Sequence, residues 1–273
     1  MSREAPGSDR STLKALSLVR SLLPGEPLIA DFACGPGSSV IALSKALPGA
    51  RFLAIDTHQP FVDEVKRRAS AAGVERRIDA RVADMADPPC EPQSIDMIWC
   101  EGALYFLGVK QGLLAWRAHL KPGGLVVFND AIWLVDHQDR AQDLKACWAD
   151  YASMTDENGV LAALSEAGYE IVGGFELPDS DWWDDYYSPM EAKLQTLEET
   201  YWGQPKAAIP LNEARQEIDI RRRYPDKYAY RFFAARMNSG RTQNSSRERA
   251  PSCKRISGRR STAPARSAHL DTD

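Results

Sequence analysis

From residue 13 to residue 127 the chain alternates between two spacings of apolar residues. Leu13, Leu16, Val19 and Leu23 recur at helical spacing over 13–22, and Pro24-Gly25-Glu26-Pro27 ends that run. Residues 28–33 then form a short, continuous apolar stretch, as expected of a strand buried on both faces. The alternation continues with a helix over 38–47 closed by Pro48-Gly49, a strand at 51–55, a helix at 61–72 and a strand at 78–82. Pro88-Pro89 interrupts the chain before a strand at 95–99. A helix at 109–120 stops at Lys121-Pro122-Gly123-Gly124, and a strand at 125–128 follows. Apolar strands separated by helices predict a parallel α/β sheet covered on both sides.

Past residue 130 the pattern changes. Helical spacing marks about 139–153 and 159–167, and strands are expected at 169–177 and 228–236. Between those strands, over about 178–225, lies an aromatic and acidic insertion in which Pro189 opens a helix at 190–201. No internal repeat is visible. A chain of 273 residues, 44% of them apolar, buries one large core, so a single domain over 1–238 is expected, with a tail from 239 to 273. The tail is rich in Ser, Arg and Pro, carries eight Lys/Arg against three Asp/Glu, and reads as a disordered appendage.

Charge divides along the same boundary. The net charge is −4, and residues 1–238 carry 26 basic against 35 acidic groups. An acidic globule repels phosphate backbones, which disfavours a nucleic acid substrate and favours a small molecule. No apolar run approaches the roughly 18 residues of a membrane span, and residues 1–10 are too polar for a signal peptide. Five scattered cysteines without CxxC spacing argue against a disulfide framework or a zinc site and for a reducing compartment, read as the cytoplasm. No heptad or symmetric patch indicates an oligomeric state.

Candidate chemistry gathers at the ends of the early strands. Asp31 leads through Ala33 and Cys34 into Gly35-Pro36-Gly37, and a helix follows at once. Glycines there allow a sharp turn and leave room for a ligand against the main chain, while the helix start offers free amide donors. A dinucleotide fingerprint is incomplete, because Val40 stands at its third glycine position. Asp56, followed by Thr57, ends the second strand 25 residues after Asp31, where a carboxylate can accept both ribose hydroxyls of a nucleoside. Asp84-Met85 ends the third, placing a carboxylate for an adenine amino group and a thioether for its ring. Singly, these residues are accounted for as turn caps and a core filler. Together they sit on the rim where α/β sheets bind ligands.

On these motifs the sequence resembles the class I methyltransferases. Asp31-Phe32-Ala33-Cys34-Gly35-Pro36-Gly37 is similar to their first motif, and Asp56, Asp84 and Leu120-Lys121-Pro122-Gly123-Gly124 fall where later motifs fall. A narrower likeness, to a group of largely uncharacterised bacterial methyltransferases, runs through Trp99-Cys100-Glu101-Gly102-Ala103-Leu104-Tyr105, Leu177-Pro178 with Trp182 and Tyr186-Tyr187, and Tyr228-Ala229-Tyr230. The resemblance implies a Rossmann-like, doubly wound α/β sheet of seven strands, mostly parallel with a C-terminal antiparallel hairpin. It implies S-adenosyl-L-methionine as cofactor and methyl transfer to a small molecule as the activity. It departs at the N-terminus, where relatives carry an extra lid segment before Pro6-Gly7-Ser8 and five residues precede it here.

Methyl transfer from a sulfonium is an in-line displacement: the protein must orient the acceptor about 3 Å from the methyl and, for a protonated acceptor, supply a base. Glu101, between Cys100 and Gly102 at the end of the fourth strand, is assigned first to cofactor positioning, with capping and general base as alternatives. Asp130, His137 and Tyr105 are further base candidates. No His/Asp cluster has ligand spacing, so no metal is expected, and thiolate chemistry at Cys34 or Cys100 would need paired cysteines. Trp133, Trp182 and Tyr186, with Tyr105, are candidates for the substrate wall. The aromatic and acidic run at 179–187 suits an amine through ring faces and charge, and equally serves to anchor the insertion on the core. Two rival classes remain: a nicotinamide-dependent oxidoreductase, against which the missing third glycine and Gly123-Gly124 argue, and a non-catalytic cofactor-binding module.

Overall fold

The computed structural model describes residues 1–238, so the tail expected at 239–273 lies outside the described residues. The chain runs α1 (Asp9–Val19), β1 (Leu28–Phe32), α2 (Ser38–Ala46), β2 (Arg51–Asp56), α3 (Gln59–Ala71), β3 (Ile78–Val82), β4 (Ile95–Glu101), α4 (Val109–Trp116) and β5 (Leu120–Trp133). It continues through α5 (Gln142–Cys147), α6 (Glu157–Glu166), β6 (Tyr169–Glu176), α7 (Asp179–Trp182), α8 (Ser188–Thr200), α9 (Pro205–Arg223) and β7 (Tyr228–Met237).

The strands form one sheet in the order β3-β2-β1-β4-β5-β7-β6. β1 to β5 are parallel, while β7 lies antiparallel between β5 and β6. The chain steps outward from β1 to β3 and then returns to the other side of β1 as β4. That reversal opens a crevice at the carboxyl ends of β1 and β4, the place where open α/β sheets hold ligands.

Alternation along each strand feeds two cores. Met97, Trp99 and Val127 face the side of α1, α2 and the insertion helices. Ile98, Cys100, Val126 and Phe128 face that of α4 and α6. Both faces are covered, which is why these strands read as near-continuous apolar runs.

Four expected boundaries shift, each for a local reason. α1 starts at Asp9 because Ser8 caps it, its hydroxyl accepting the Ser11 N–H at 3.1 Å. Its buried stripe is Ala15, Leu16 and Val19, whereas Leu13 is exposed. α4 stops at Trp116, and Lys121-Pro122-Gly123-Gly124 lies inside β5, where Gly123 takes φ +74° and the register against β4 slips. The long helix expected at 139–153 is the six-residue α5, followed by turns. There tertiary contacts override helical spacing. Trp148 meets the Tyr228 ring edge-on at 5.0 Å, and the Tyr151 hydroxyl donates to Asp130 Oδ2 at 2.9 Å.

The insertion folds as α7, a π-helical turn over Trp183–Tyr187, α8 and α9. Arg221 of α9 clamps it to the sheet: the guanidinium lies 3.9 Å above the Trp182 ring and donates to the Tyr228 carbonyl at 3.1 Å. Among the described residues no helix is long and apolar enough to cross a membrane.

Candidate active site

Four strand ends and the N-terminal segment enclose a cleft of about 1490 Å³. β1 supplies Ala33, Cys34 and Gly35, β2 supplies Asp56 and Thr57, β3 leads to Asp84 and Met85, and β4 ends in Glu101 and Gly102. The loop after β1 is tight: Cys34 N–H still reaches the Ile55 carbonyl at 2.9 Å, and Gly37 N–H turns back to the Cys34 carbonyl at 3.0 Å. Gly37 takes φ +90°, and a Cβ there would sit 2.7 Å from Val65 Cγ2. Only glycine satisfies both conditions.

Asp56 is held from two sides. Gly35 N–H donates to Oδ2 and His58 N–H to Oδ1, each at 2.9 Å. One amide per oxygen fixes the carboxylate and leaves each oxygen a further lone pair for a ligand. Asp84 Oδ1 takes the Ala86 N–H at 2.8 Å, and Met85 is 7% exposed beside it.

Asp31 lies beneath the loop. It is 1% exposed, accepts the Ser39 hydroxyl at 2.6 Å on Oδ2, and has no partner on Oδ1. Burial pushes its carboxyl up to about 8. Asp31, Gly37 and Cys100 shape the cleft from behind, since none of the three lines it.

Glu101 is engaged on both oxygens. Oε1 accepts the Thr12 hydroxyl at 2.7 Å and Trp99 Nε1 at 2.8 Å, while Oε2 accepts Arg3 Nη1 at 2.8 Å. Arg3 also reaches Asp9 Oδ1 at 2.8 Å and Thr12 Oγ1 at 3.2 Å. The segment before α1 is thereby drawn into the cleft, where Ser2, Arg3, Glu4, Ala5 and Pro6 line the wall. The Glu4 side chain lies beside Gly35, where a Cβ would stand 3.7 Å from its Cγ; its Oε2 is buried without a partner, and burial pushes its carboxyl up to about 7.

The remaining candidates separate. Tyr105 lines the cleft. His137 is exposed outside it, and Asp130 is fully buried with the Tyr151 hydroxyl and the Ala131 N–H as donors, so neither reaches the cleft wall. Trp133 is core, packed against Trp148 and Arg140, and Trp182 is sandwiched among Tyr187, Tyr228, Tyr230 and Arg221. Tyr186 is fully buried and approaches the cleft only through its hydroxyl, which donates to Glu217 at 3.4 Å. Spacing cannot tell an aromatic that walls a cavity from one that fills a core.

Sequence reasoning passed over Arg3, Glu4, Thr12 and Glu217. Of these only Glu217 left a legible signal, as an acid on the buried stripe of α9 with Leu211, Ala214, Ile218 and Arg221.

Residues 29–124 match a family model described as a methyltransferase domain. A ribosomal RNA large subunit methyltransferase G from Pseudomonas savastanoi pv. phaseolicola is 29% identical over 114 residues, covering 42% of this chain and 30% of that protein. The chain thus spans about a third of the length of the first curated relatives it matches. A trans-aconitate 2-methyltransferase from Variovorax paradoxus is 24% identical over 222 residues, covering 78% of this chain and 80% of the relative. Among solved structures, a SAM-dependent methyltransferase from Thiobacillus denitrificans in complex with S-adenosyl-L-homocysteine superposes with TM-score 0.74 at 20% identity, over 86% of this chain and 93% of that one. The acidic balance alone does not exclude nucleic acid, since a ribosomal RNA methyltransferase is among the relatives.

Proposed function

Because residues 29–124 are a methyltransferase domain within a class I seven-stranded sheet, we propose that this chain transfers the methyl group of S-adenosyl-L-methionine to a small-molecule acceptor. The observation that carries the reading is the convergence of four strand ends, with Asp56 fixed by two backbone amides, on one cleft at the topological switch point.

The residues present fit this cofactor. Asp56 would hold the ribose hydroxyls, Asp84 and Met85 the adenine, and the loop from Ala33 to Gly35 the methionine end. Glu4 Oε2, buried and without a partner, suits the cationic part of such a molecule. When bound, S-adenosylmethionine supplies an electrophilic methyl on a sulfonium. The chain's own part is to bind, orient and exclude water. Glu101, committed to Arg3, Thr12 and Trp99, is read as a positioning residue that fixes the N-terminal segment rather than as a base.

The 1490 Å³ cleft exceeds the roughly 1,000 Å³ upper range of single-ligand pockets, which leaves space for an acceptor beside the cofactor. A small-molecule acceptor is further supported by the trans-aconitate methyltransferase, which aligns with 78% of the chain. Its unpaired cysteines at 34, 90, 100 and 147 suit a cytoplasmic location.

The test is incubation of the protein with isotopically methyl-labelled S-adenosylmethionine, a bacterial metabolite extract and total RNA, followed by mass spectrometry of each fraction. Labelled low-molecular-weight product is expected. Label found only in RNA contradicts the small-molecule reading, and label in no fraction despite cofactor binding favours the non-catalytic module.

A further inference from the structure

The cleft continues past the cofactor loops toward α5 and α9, where Tyr105, Asp150, Glu213 and Glu217 line it. Glu217 lies deepest. It is 7% exposed, and its Oε1 accepts the hydroxyls of Tyr187 at 3.1 Å and Tyr186 at 3.4 Å. Among the described side chains no Lys, Arg or His forms an ion pair with it. The nearby Arg223 of the cleft wall is taken by Asp143. Asp219, also on the wall, pairs with Arg222 at 3.7 Å.

A buried carboxylate supported only by neutral hydroxyls is costly to fold, and that cost is removed when a cation settles beside it. Burial pushes the Glu217 carboxyl up to about 8, in keeping with a missing counter-charge. Tyr186 and Tyr187 hold the carboxylate in place from behind, as partners that orient a binding group do. A tricarboxylate or a phosphate chain in this half of the cleft would face Asp150, Glu213 and Glu217 and find the wall's Arg223 already paired.

We propose that the half of the cleft between Tyr105 and Glu217 recognises a cationic amine as methyl acceptor, with Glu217 receiving its positive charge and the Tyr186–Tyr187 pair fixing Glu217. The inference rests on the methyltransferase reading above and narrows its substrate class. Transfer to such an acceptor balances simply. The ammonium proton passes to the Glu217 carboxylate, the freed nitrogen lone pair forms the N–C bond, and the S–C bond breaks with its electron pair left on sulfur.

The experiment is calorimetric titration of the full chain, first with S-adenosylhomocysteine and then, once loaded, with tyramine or with 4-hydroxyphenylacetate as the anion of similar size. Tyramine is expected to bind at least about tenfold more tightly than the anion. Glu217→Gln is expected to erase that preference while leaving S-adenosylhomocysteine affinity within about twofold. Equal or tighter binding of the anion, no binding of tyramine, or a preference that survives Glu217→Gln overturns the proposal with the methyltransferase reading intact. Absence of S-adenosylhomocysteine binding removes that reading and the proposal together. The wild-type comparison decides the question even where the variant fails to fold.

Discussion

Asp31 and Asp130 are carboxyl groups sealed away from water, and Glu217 is buried at the floor of the cleft; all three have neutral donors as their direct partners, and burial raises them to about 8, 7 and 8 from ordinary values of 3.8, 3.8 and 4.5. Since the folded state holds these protons more tightly than the unfolded chain, the associated stabilisation is complete below about pH 4 and is lost as pH rises through 7 to 8. Urea melts are therefore expected to show stability falling between pH 5 and pH 9. Glu217→Gln, which cannot ionise, gains on the wild type over that interval by on the order of 3 kcal/mol. A parallel pH dependence in the two proteins would contradict the burial argument. A second residue-scale prediction concerns Gly37. Gly37→Ala combines φ +90° with a 2.7 Å approach to Val65 and is expected to cost about 1–3 kcal/mol in denaturant melts. Trimming the neighbour with Val65→Ala recovers part of that loss.

At the scale of elements, the sequence located every strand of the sheet: the central strands β1, β4 and β5, buried on both faces, announce themselves as apolar runs, whereas the edge strands β3 and β6 are largely exposed and stand out by the helix that precedes each. Its errors fell where tertiary contacts compete with spacing. Lys121-Pro122-Gly123-Gly124 reads as a break between elements, yet a bulge absorbs it within β5. Trp148 and Tyr151 suit helical spacing, yet each is claimed by a partner on the sheet, and α5 ends at Cys147. Within the insertion, α8 was legible from Pro189, but the way the insertion docks was not, because its anchor, Arg221 against Trp182 and the Tyr228 carbonyl, is a contact between distant segments. Replacing that anchor by Arg221→Met leaves a buried carbonyl without its donor and Trp182 without its cation. The expected loss is about 2–4 kcal/mol in unfolding free energy. An unchanged midpoint would show that the insertion is held by its apolar contacts alone.

Across the whole molecule, the strand-end wall of the cleft was readable in advance because its residues sit at positions fixed by sheet topology: Ala33 to Gly35, Asp56, Thr57, Asp84, Met85, Glu101 and Gly102 line one cleft, while Asp31, Gly37 and Cys100 stand outside its lining. The opposite wall was not. It comes from the segments of α5 and α9, which the sequence places nowhere near each other, and of the aromatics chosen for a substrate wall only Tyr105 lines the cavity. Trp133 and Trp182 turned out to be core. Everything functional nevertheless depends on the strand ends holding one adenosine, and calorimetric titration of S-adenosylhomocysteine into the wild type and Asp56→Ala tests this most directly. Saturable single-site binding is expected, weakened at least about tenfold by the substitution as the ribose loses its carboxylate. No heat at high micromolar ligand, or equal affinity in the two proteins, would contradict the account.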